Sequence, residues 1–517
     1  MSFLLWTVPL LMGLALTPWI NNSFPARQSL VTSLLILAIC IGAWLSYLGF
    51  WQAVPATILS AVWLATLGVR SLMKRPPKRQ LRYYSGTLFT LFLIIGIAPI
   101  YSAPIQDLPA PDGPYAVGMK EFVVTDRSRP GLRGAPADAP RRILVRAYYP
   151  AEHVEGLNRR PYLTPREASL MAEAATSLGQ PGFMDSYKQH ALTNTYDNAP
   201  IALGQKFPFV RFSHGFTGPM AENLFIVENM VSKGYVVFMT SHPGNTRFVA
   251  YPDGTKHLID ASITEIMSQS FSSAANGPAP TYATLDEFWD ARVQYQFSAL
   301  PLFVESMAIW RDDMLAVADA LFNGDVDAAI ASIWQSVDQD KFAYVGMSFG
   351  ASTAATTCHV DTRCKAAILL DGVNADKSLV NAQIRMPAMS VQAPLGTFPV
   401  TENQLGLGLS GMNDTSYEPV ALAGQSGLVT RVIVRDTKHL SYTDNASFWR
   451  GPIRLVFLVG ILPKSETNTA INGLISAFLD EQLNGKSCTT LAFIDGNADA
   501  NTYSLDALSD WAQSKGL

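Results

Sequence analysis

The first hundred residues differ from the rest of the chain in their nearly uninterrupted apolar character. Four apolar segments cover residues 3–20, 29–50, 54–73 and 84–101. Each has about the 18 to 22 residues that a helix needs to cross a hydrocarbon core about 30 Å thick. None of them has the charged face that marks a surface helix of a globular domain. The pattern predicts a bundle of four transmembrane helices in residues 1–104.

Charged residues in the short loops predict the orientation of this bundle. The loop between the third and fourth segments is strongly cationic, with Lys74, Arg75, Lys78, Arg79 and Arg82. Arg27 is the other cation in these loops, and cationic loops face the cytoplasm. An even number of spans then places both chain termini outside. We expect a multi-pass protein of the cell (inner) membrane whose residues 105–517 form an extracytoplasmic, periplasmic domain.

From residue 105 onward, short apolar runs alternate with longer helical patterns. Residues 115–124 and 143–149 read as the two strands of a hairpin. Further strands are predicted at 207–212, 236–239, 366–370, 388–392 and 429–435. Helices are predicted at about 221–233 and 303–322. This alternation is typical of an α/β domain with a mostly parallel sheet flanked by helices.

One segment interrupts the alternation of strands and helices. Residues 247–301 contain clusters of Gly, Ser and Pro together with several aromatic residues. We interpret this segment as an insertion or lid over the site. A solvated loop with a few core contacts is the alternative.

A G-x-S-x-G sequence stands where a strand gives way to a helix. An apolar run leads into Gly346-Met347-Ser348-Phe349-Gly350, and small helix-forming residues follow. In α/β hydrolases this turn holds a nucleophilic serine clear of the backbone, and the glycines leave room for it. Ser348 is therefore the predicted nucleophile. The alternative is an ordinary strand-to-helix turn with a capping serine.

The base and the acid follow from the chain order serine, acid, histidine that this fold requires. Of seven histidines, only His359 and His439 come after Ser348, and His359 precedes any strand that could deliver the acid. His439 is therefore the predicted base, although it could be a surface-loop histidine. Asp371 ends the strand that follows the helix after Ser348, and it is the predicted acid. The other slot for the acid, after the strand 388–392, offers no carboxylate before Glu402, and Asp436 lies too close to His439 along the chain to be preferred.

A second glycine-containing turn supplies candidate donors for a developing oxyanion. The sequence Ser213-His214-Gly215-Phe216-Thr217-Gly218 directly follows the strand 207–212 and precedes a helix. This class of hydrolase places half of its oxyanion hole at such a turn. We expect the backbone N–H groups of Phe216 and Phe349 to be the two donors. A plain strand-to-helix turn is the alternative interpretation of this loop.

Charge and cysteine content exclude several other functions. The net charge is −4 and no basic patch is present, so nucleic acid is not an expected partner. The four cysteines form no C-x-x-C or Cys/His pattern, so no metal and no cofactor are expected. Cys358 and Cys364 could close a short disulfide in an oxidising compartment, or stay reduced, because loop geometry decides between these states.

An ordered set of segments resembles the platelet-activating-factor acetylhydrolase family and related bacterial hydrolases often called predicted dienelactone hydrolases. The set comprises GPYAVGMKEFVV, LVRAYYP, FPFVRFSHGF, SHPGNT, VGMSFGAS, AAILLDG and HLSYTD, between residues 113 and 448. The resemblance implies an α/β-hydrolase fold, Ser348, Asp371 and His439 as catalytic residues, and the amides of Phe216 and Phe349 as the oxyanion hole. Met347 stands where this family often has His, and Ala351 stands where a third glycine is common. The predicted spans have no counterpart in secreted members.

Taken together, these features predict a membrane-embedded serine carboxylesterase that forms an acyl-enzyme. Its expected substrate is a small-molecule or lipid ester, including short-acyl esters. One alternative is a catalytically inactive hydrolase scaffold with a binding or sensory role in the membrane. Another is a function of the helix bundle itself, such as lipid handling. Arg70 is the one charged residue within the spans, which argues against a transport pathway.

Overall fold

A computed structural model of the chain shows an N-terminal helix bundle followed by an α/β domain. The structure describes residues 2–20, 24–72, 79–132, 138–260, 262–263, 301–372, 376–379, 385–394, 428–456, 458–461 and 463–502. Most of the predicted lid at 247–301 lies outside these residues. Its first part, which the structure does describe, forms a small antiparallel hairpin of β7 (Phe248–Ala250) and β8 (Lys256–Leu258).

The N-terminal helices are α1 (Ser2–Leu5), α2 (Thr7–Ile20), α3 (Phe24–Tyr47), α4 (Val54–Leu72) and α5 (Arg79–Ser102). Among the described residues, two helices are long and apolar enough to cross a membrane, Arg27–Tyr47 and Trp51–Leu72. The other two apolar helices, Phe3–Thr17 and Gly86–Ser102, are shorter. The structure therefore supports two of the four predicted spans by length.

The helices of the first and fourth apolar segments differ in continuity. The chain turns at Trp6, which separates α1 from α2, so the predicted segment 3–20 is interrupted. Helix α5 begins in the polar stretch RQLRYY and continues without a break through the predicted segment 84–101.

The α/β domain is built on one eleven-stranded sheet with the order β13-β12-β11-β10-β9-β5-β6-β2-β1-β4-β3. Its strands are β1 (Ala116–Pro130), β2 (Pro140–Ala151), β3 (Arg159–Pro161), β4 (Leu192–Asp197), β5 (Phe207–Ser213), β6 (Val236–Thr240), β9 (Val337–Met347), β10 (Ala366–Leu370), β11 (Ala388–Gln392), β12 (Val429–Val434) and β13 (Ala500–Thr502). Neighbouring strands from β6 through β5, β9, β10 and β11 to β12 pair in parallel. This arrangement confirms the predicted mostly parallel sheet, and β1 with β2 confirms the predicted hairpin.

Helices cover both faces of the sheet. They are α6 (Pro165–Ser177), α7 (Phe183–Ser186), α8 (Leu224–Ser232), α9 (Pro301–Asn323), α10 (Ala328–Gln335), α11 (Phe349–Val360), α12 (Asn445–Phe448), α13 (Ile453–Val456), α14 (Lys464–Asn484) and α15 (Thr489–Asp495). Apolar side chains of α6, α8 and α14 pack on one face, and those of α9, α10 and α11 pack on the other. The core therefore lies in two layers, one on each face of the sheet. Neither layer covers the carboxyl ends of the parallel strands, where the site lies.

A disulfide joins the end of α11 to the start of β10. Cys358 and Cys364 are bonded, with their Cα atoms 5.3 Å apart. Cys40 and Cys488 are free. The bond lies at the C-terminal end of α11, whereas Ser348 precedes the N-terminal end of the same helix.

Candidate active site

Ser348 occupies a sharp turn between β9 and α11. Its backbone has φ 57° and ψ −122°, a left-handed conformation that a residue with a side chain seldom adopts. The two flanking glycines make the turn possible. A Cβ on Gly346 would lie 2.0 Å from the carbonyl oxygen of Gly350, and a Cβ on Gly350 would lie 2.1 Å from that of Ser213. The G-x-S-x-G pattern is therefore a steric requirement of this turn.

The structure brings the other two predicted residues to the Ser348 hydroxyl. His439, in a short 3₁₀ turn after β12, places Nε2 3.0 Å from Ser348 Oγ. Its Nδ1 lies 2.6 Å from Oδ2 of Asp371, which follows β10 directly. The second oxygen of Asp371 accepts the N–H of Ala393 at 3.0 Å. The three side chains thus meet at the carboxyl ends of strands β9, β10 and β12.

This hydrogen-bond chain favours proton transfer from the serine. Because the Asp371 carboxylate accepts the Nδ1–H of His439, the lone pair on Nε2 faces Ser348. The His439 side chain is 19% exposed and that of Asp371 is 7% exposed. The imidazole can therefore meet a substrate from solvent, while the carboxylate that orients it is shielded from water.

The two predicted oxyanion donors belong to segments that adjoin Ser348. Phe349 is the first residue of α11, so its N–H has no acceptor within the helix. Phe216 lies in the turn after β5. Gly215 of the same turn is so close to Ser348 that a Cβ on it would be 3.4 Å from Ser348 Cβ. The phenyl rings of Phe216 and Phe349 pack together with centroids 5.1 Å apart.

A buried carboxylate supports the turn that carries Phe216. Oε1 of Glu222 accepts the N–H of Gly215 at 2.7 Å. Burial raises the pKa of Glu222 to about 7, although the donated Gly215 N–H and nearby His439 both favour the charged form. Sequence reasoning missed this residue because it falls at the edge of a predicted helix, where a glutamate normally faces solvent.

A second Ser-His-Asp chain lies behind this turn. Ser213 Oγ is 3.0 Å from Nε2 of His242, and Nδ1 of His242 is 3.0 Å from Oδ2 of Asp313. Arg141 forms an ion pair with Asp313, and the ring of Trp310 stacks on His242 at 3.9 Å. Burial lowers the pKa of His242 to about 4, which keeps the ring neutral. The sequence placed Ser213 in the predicted oxyanion turn and His242 in the segment SHPGNT, and nothing in it indicated that their side chains meet.

The competing candidates lie apart from Ser348 or outside the described residues. His359 lies at the far end of α11, eleven residues and therefore about 16 Å along the helix from Ser348. Asp436 is partly exposed and pairs with Arg435 at 2.8 Å. Glu402, the first carboxylate after β11, lies outside the described residues. Within the described part of the chain, no group of three or more His, Cys, Asp or Glu side chains is placed to hold a metal.

Comparison with known proteins agrees with this fold. The bovine (Bos taurus) platelet-activating factor acetylhydrolase is 26% identical over 176 residues, which is 34% of this chain and 37% of that protein. The canine (Canis lupus familiaris) enzyme is 25% identical over 177 residues, with the same coverage. The matches thus span little more than a third of these relatives.

A solved structure and a family profile extend the comparison. The ferulic acid esterase from Streptomyces cinnamoneus superposes with a TM-score of 0.55 at 17% identity, covering 77% of this chain and 99% of the esterase. This similarity shows that the two proteins share the α/β-hydrolase fold. The profile of the family described as platelet-activating factor acetylhydrolase, isoform II, matches residues 100–394, more than half of the chain. The chain is therefore a member of the platelet-activating factor acetylhydrolase, isoform II, family.

Proposed function

We propose that this protein is a serine hydrolase of carboxylic esters that works through an acyl-enzyme. The observation that carries the proposal is the hydrogen-bond chain from Ser348 through His439 to Asp371, with distances of 3.0 and 2.6 Å. Its position at the carboxyl ends of parallel strands, with a partly exposed imidazole, suits a group that meets substrate. Membership in an acetylhydrolase family and the fold shared with an esterase support the same class of reaction.

The reaction follows from the positions of these groups. Ser348 Oγ attacks the ester carbonyl while His439 Nε2 takes its proton, and Asp371 stabilises the imidazolium that forms. The N–H groups of Phe216 and Phe349 stabilise the developing oxyanion. Each such donor commonly contributes about 10²-fold or more in rate. His439 then protonates the leaving alcohol, and a water molecule activated by the same imidazole hydrolyses the acyl-enzyme.

Lipid or short-acyl esters are the substrate class that we propose. The bovine and canine relatives are named as acetylhydrolases and the solved neighbour as a ferulic acid esterase. Both names describe enzymes that hydrolyse esters. A location at a membrane would give the site access to amphiphilic esters. Hydrolysis of p-nitrophenyl esters of increasing acyl length measures the preference directly.

The test of the mechanism is labelling by a fluorophosphonate probe, which reacts with activated serines. We expect wild-type protein to be labelled and to hydrolyse p-nitrophenyl acetate, and Ser348→Ala to do neither while it remains folded. Labelling that survives Ser348→Ala would reject this assignment. A folded wild-type protein that is neither labelled nor active would favour an inactive hydrolase scaffold instead.

We also propose that residues 1–104 anchor residues 105–517 on the outer side of the cell membrane in a multi-pass arrangement. Apolar side chains on all four long helices face outward, among them Leu10, Leu37, Val62 and Ile94. An outward apolar surface on α2 and α5, as well as on α3 and α4, supports contact of all four helices with lipid.

Contacts between the bundle and the α/β domain support the proposed orientation. The domain meets the connection between α3 and α4, where His190 Nε2 is 2.9 Å from the Leu48 carbonyl oxygen and its ring stacks on Phe50 at 3.9 Å. In the same region Gln52 donates a hydrogen bond to the carbonyl of Ala103, just beyond α5. Helix α5 thus runs from the cationic loop to the opposite end of the bundle. The domain would then lie across the membrane from the cationic, cytoplasmic loop.

The free cysteine Cys488 allows this orientation to be measured. In sealed right-side-out vesicles, we expect an impermeant maleimide to label wild-type protein and not Cys488→Ser. Labelling that appears only after the membrane is permeabilised would contradict an extracytoplasmic domain.

A further inference from the structure

The base and the first oxyanion donor lie on loops that follow distant strands. His439 follows β12, whereas Phe216 follows β5, and strands β9, β10 and β11 lie between these two in the sheet. With adjacent strands about 4.8 Å apart, the two strand ends are separated by about 19 Å. The segment that carries His439 must therefore reach back over the sheet edge to meet Ser348. Contacts near the Phe216 turn must hold this segment in place.

Asp444, five residues after His439, provides such contacts. Its Oδ2 accepts the N–H of Leu224 and its Oδ1 accepts the N–H of Phe225, both at 2.9 Å. These amides open helix α8, which has no side-chain hydrogen bond from its own N-cap residue, Asn223. Asp444 is 1% exposed, so its carboxylate holds these amides away from water. A residue of the base-bearing segment thus caps the helix that follows the oxyanion turn.

Three further hydrogen bonds strengthen this connection. The N–H of Asp444 donates to the carbonyl oxygen of Glu222 at 2.7 Å. The side chain of Asn223 donates to the carbonyl oxygen of Tyr442 at 2.7 Å. The hydroxyl of Tyr162 adds a hydrogen bond to Asp444 Oδ2 at 3.1 Å. Residues 442–444 and 222–225 are therefore joined by several hydrogen bonds between groups more than two hundred positions apart.

The connection continues to the donor itself. Glu222 accepts the Asp444 N–H with its backbone oxygen and the Gly215 N–H with its side chain. Gly215 directly precedes Phe216, whose amide is the proposed donor. An unbroken path of short contacts thus runs from the segment bearing the base to the amide that faces the developing charge.

We propose that Asp444 is a positioning residue that holds the His439 segment and the Phe216 turn at a fixed separation. This inference rests on the proposed function, because it concerns how the base and the oxyanion donor are placed for that reaction. Asp444 does not touch the reacting atoms. Each of its two oxygens accepts one of two adjacent amides, whereas an asparagine would turn an NH₂ donor towards one of those amides. Displacement of a catalytic group by about 1 Å costs on the order of 10²-fold in rate.

Glu228 offers a matched control for Asp444. It is also a buried carboxylate at helix α8, and it accepts hydrogen bonds from the N–H of Asn194 and the hydroxyl of Thr195. These partners lie on β4, away from both catalytic loops. Loss of Glu228 should therefore affect stability without moving the base relative to the donor.

The first experiment compares Asp444→Asn, Asp444→Ala and Glu228→Gln with wild type in the hydrolysis of p-nitrophenyl acetate. We expect Asp444→Ala to lower kcat by about 10- to 100-fold with KM changed less than about 3-fold. Asp444→Asn should fall between Asp444→Ala and wild type. Glu228→Gln should keep kcat within about 2-fold. Full kcat in Asp444→Ala, or an equal loss in Glu228→Gln at a similar melting temperature, would overturn the proposal.

The second experiment does not depend on activity. In hydrogen–deuterium exchange, Asp444→Asn should speed exchange both in a peptide covering 437–444 and in one covering 214–222, and Glu228→Gln should change neither. Faster exchange confined to the first turn of α8 would show a cap with no coupling and would overturn the proposal. Wild-type protein without ester hydrolysis would reject the proposed function, whereas the exchange pattern would still decide whether Asp444 couples the two loops.

Discussion

Ser213 Oγ lies 3.0 Å from Nε2 of His242, the same distance that separates Ser348 Oγ from Nε2 of His439. Both imidazoles also meet an aspartate through Nδ1. The two chains differ in their surroundings, because Ser213, His242 and Asp313 are all 0% exposed. Distances within a Ser-His-Asp chain therefore do not identify a nucleophile, and access to substrate has to be considered with them.

The buried chain makes a sharp control for the nucleophile. We expect Ser213→Ala to keep fluorophosphonate labelling, because Ser213 is fully buried and no substrate can reach it. Its cost should be in stability, about 1 kcal/mol for a lost hydrogen bond to the buried His242. Labelling stoichiometry and thermal unfolding measure the two effects. Loss of labelling in folded Ser213→Ala, with Ser348 intact, would contradict the assignment.

The acid can be tested against a neighbouring carboxylate. In Asp371→Asn the side chain keeps its shape but no longer stabilises the imidazolium, so we expect kcat to fall by about 10²- to 10⁴-fold with little change in KM. Asp436→Asn is the matched control, since Asp436 is close to His439 in sequence but pairs with Arg435 instead. Steady-state kinetics of both variants decide the matter. Comparable activity in the two variants would remove Asp371 from its proposed role.

The sequence predicted the central strands closely, and the physical reason is their burial on both faces. Strands β10 and β11 begin and end where their apolar runs do, at Ala366–Leu370 and Ala388–Gln392. The outer strands β4 and β13, with the polar sequences LTNTYD and ANT, carry no such signal and were missed. Their pairing depends on a neighbouring strand and not on their own composition.

The site shows the same division between local and long-range information. The Ser348 turn is encoded by adjacent glycines, and chain order limits the choice of base and acid. By contrast, Asp444 and Glu222 are polar residues whose burial depends on contacts with segments far away in sequence. Asp444 is the last residue of the segment HLSYTD, five residues after His439. Its closeness to the predicted base was the one sequence feature that could have drawn attention to it.

The buried carboxylate of Glu228 predicts a pH dependence of stability. Burial raises its pKa to about 7 from 4.5, against the hydrogen bonds from Asn194 and Thr195 that favour the charged form. The folded state then holds this proton over a pH range in which the unfolded chain has lost it. The resulting stabilisation is complete below pH 4.5 and is lost as the pH rises to about 7. Its size is up to about 3 kcal/mol.

Glu228→Gln isolates this effect because glutamine does not titrate in this range. We expect the stability of wild type relative to Glu228→Gln to fall as the pH is raised from 5 to 8, and to change little above pH 8. Denaturant unfolding of both proteins at several pH values measures the difference. A difference that stays constant with pH would show that Glu228 keeps an ordinary pKa in the folded protein.

The disulfide between Cys358 and Cys364 predicts an effect on stability without an effect on activity. Closing a loop this short removes chain entropy from the unfolded state worth about 2 kcal/mol. The bond joins the end of α11 to the start of β10, opposite the strand ends that carry Ser348 and Asp371. We therefore expect dithiothreitol to lower the unfolding midpoint of wild type but not of Cys358→Ala/Cys364→Ala, and both proteins to keep kcat within about 2-fold. Cys488→Ala, which removes a free thiol, should respond to the reductant as wild type does. An unfolding midpoint of wild type that is insensitive to reductant would mean that the two thiols are not bonded.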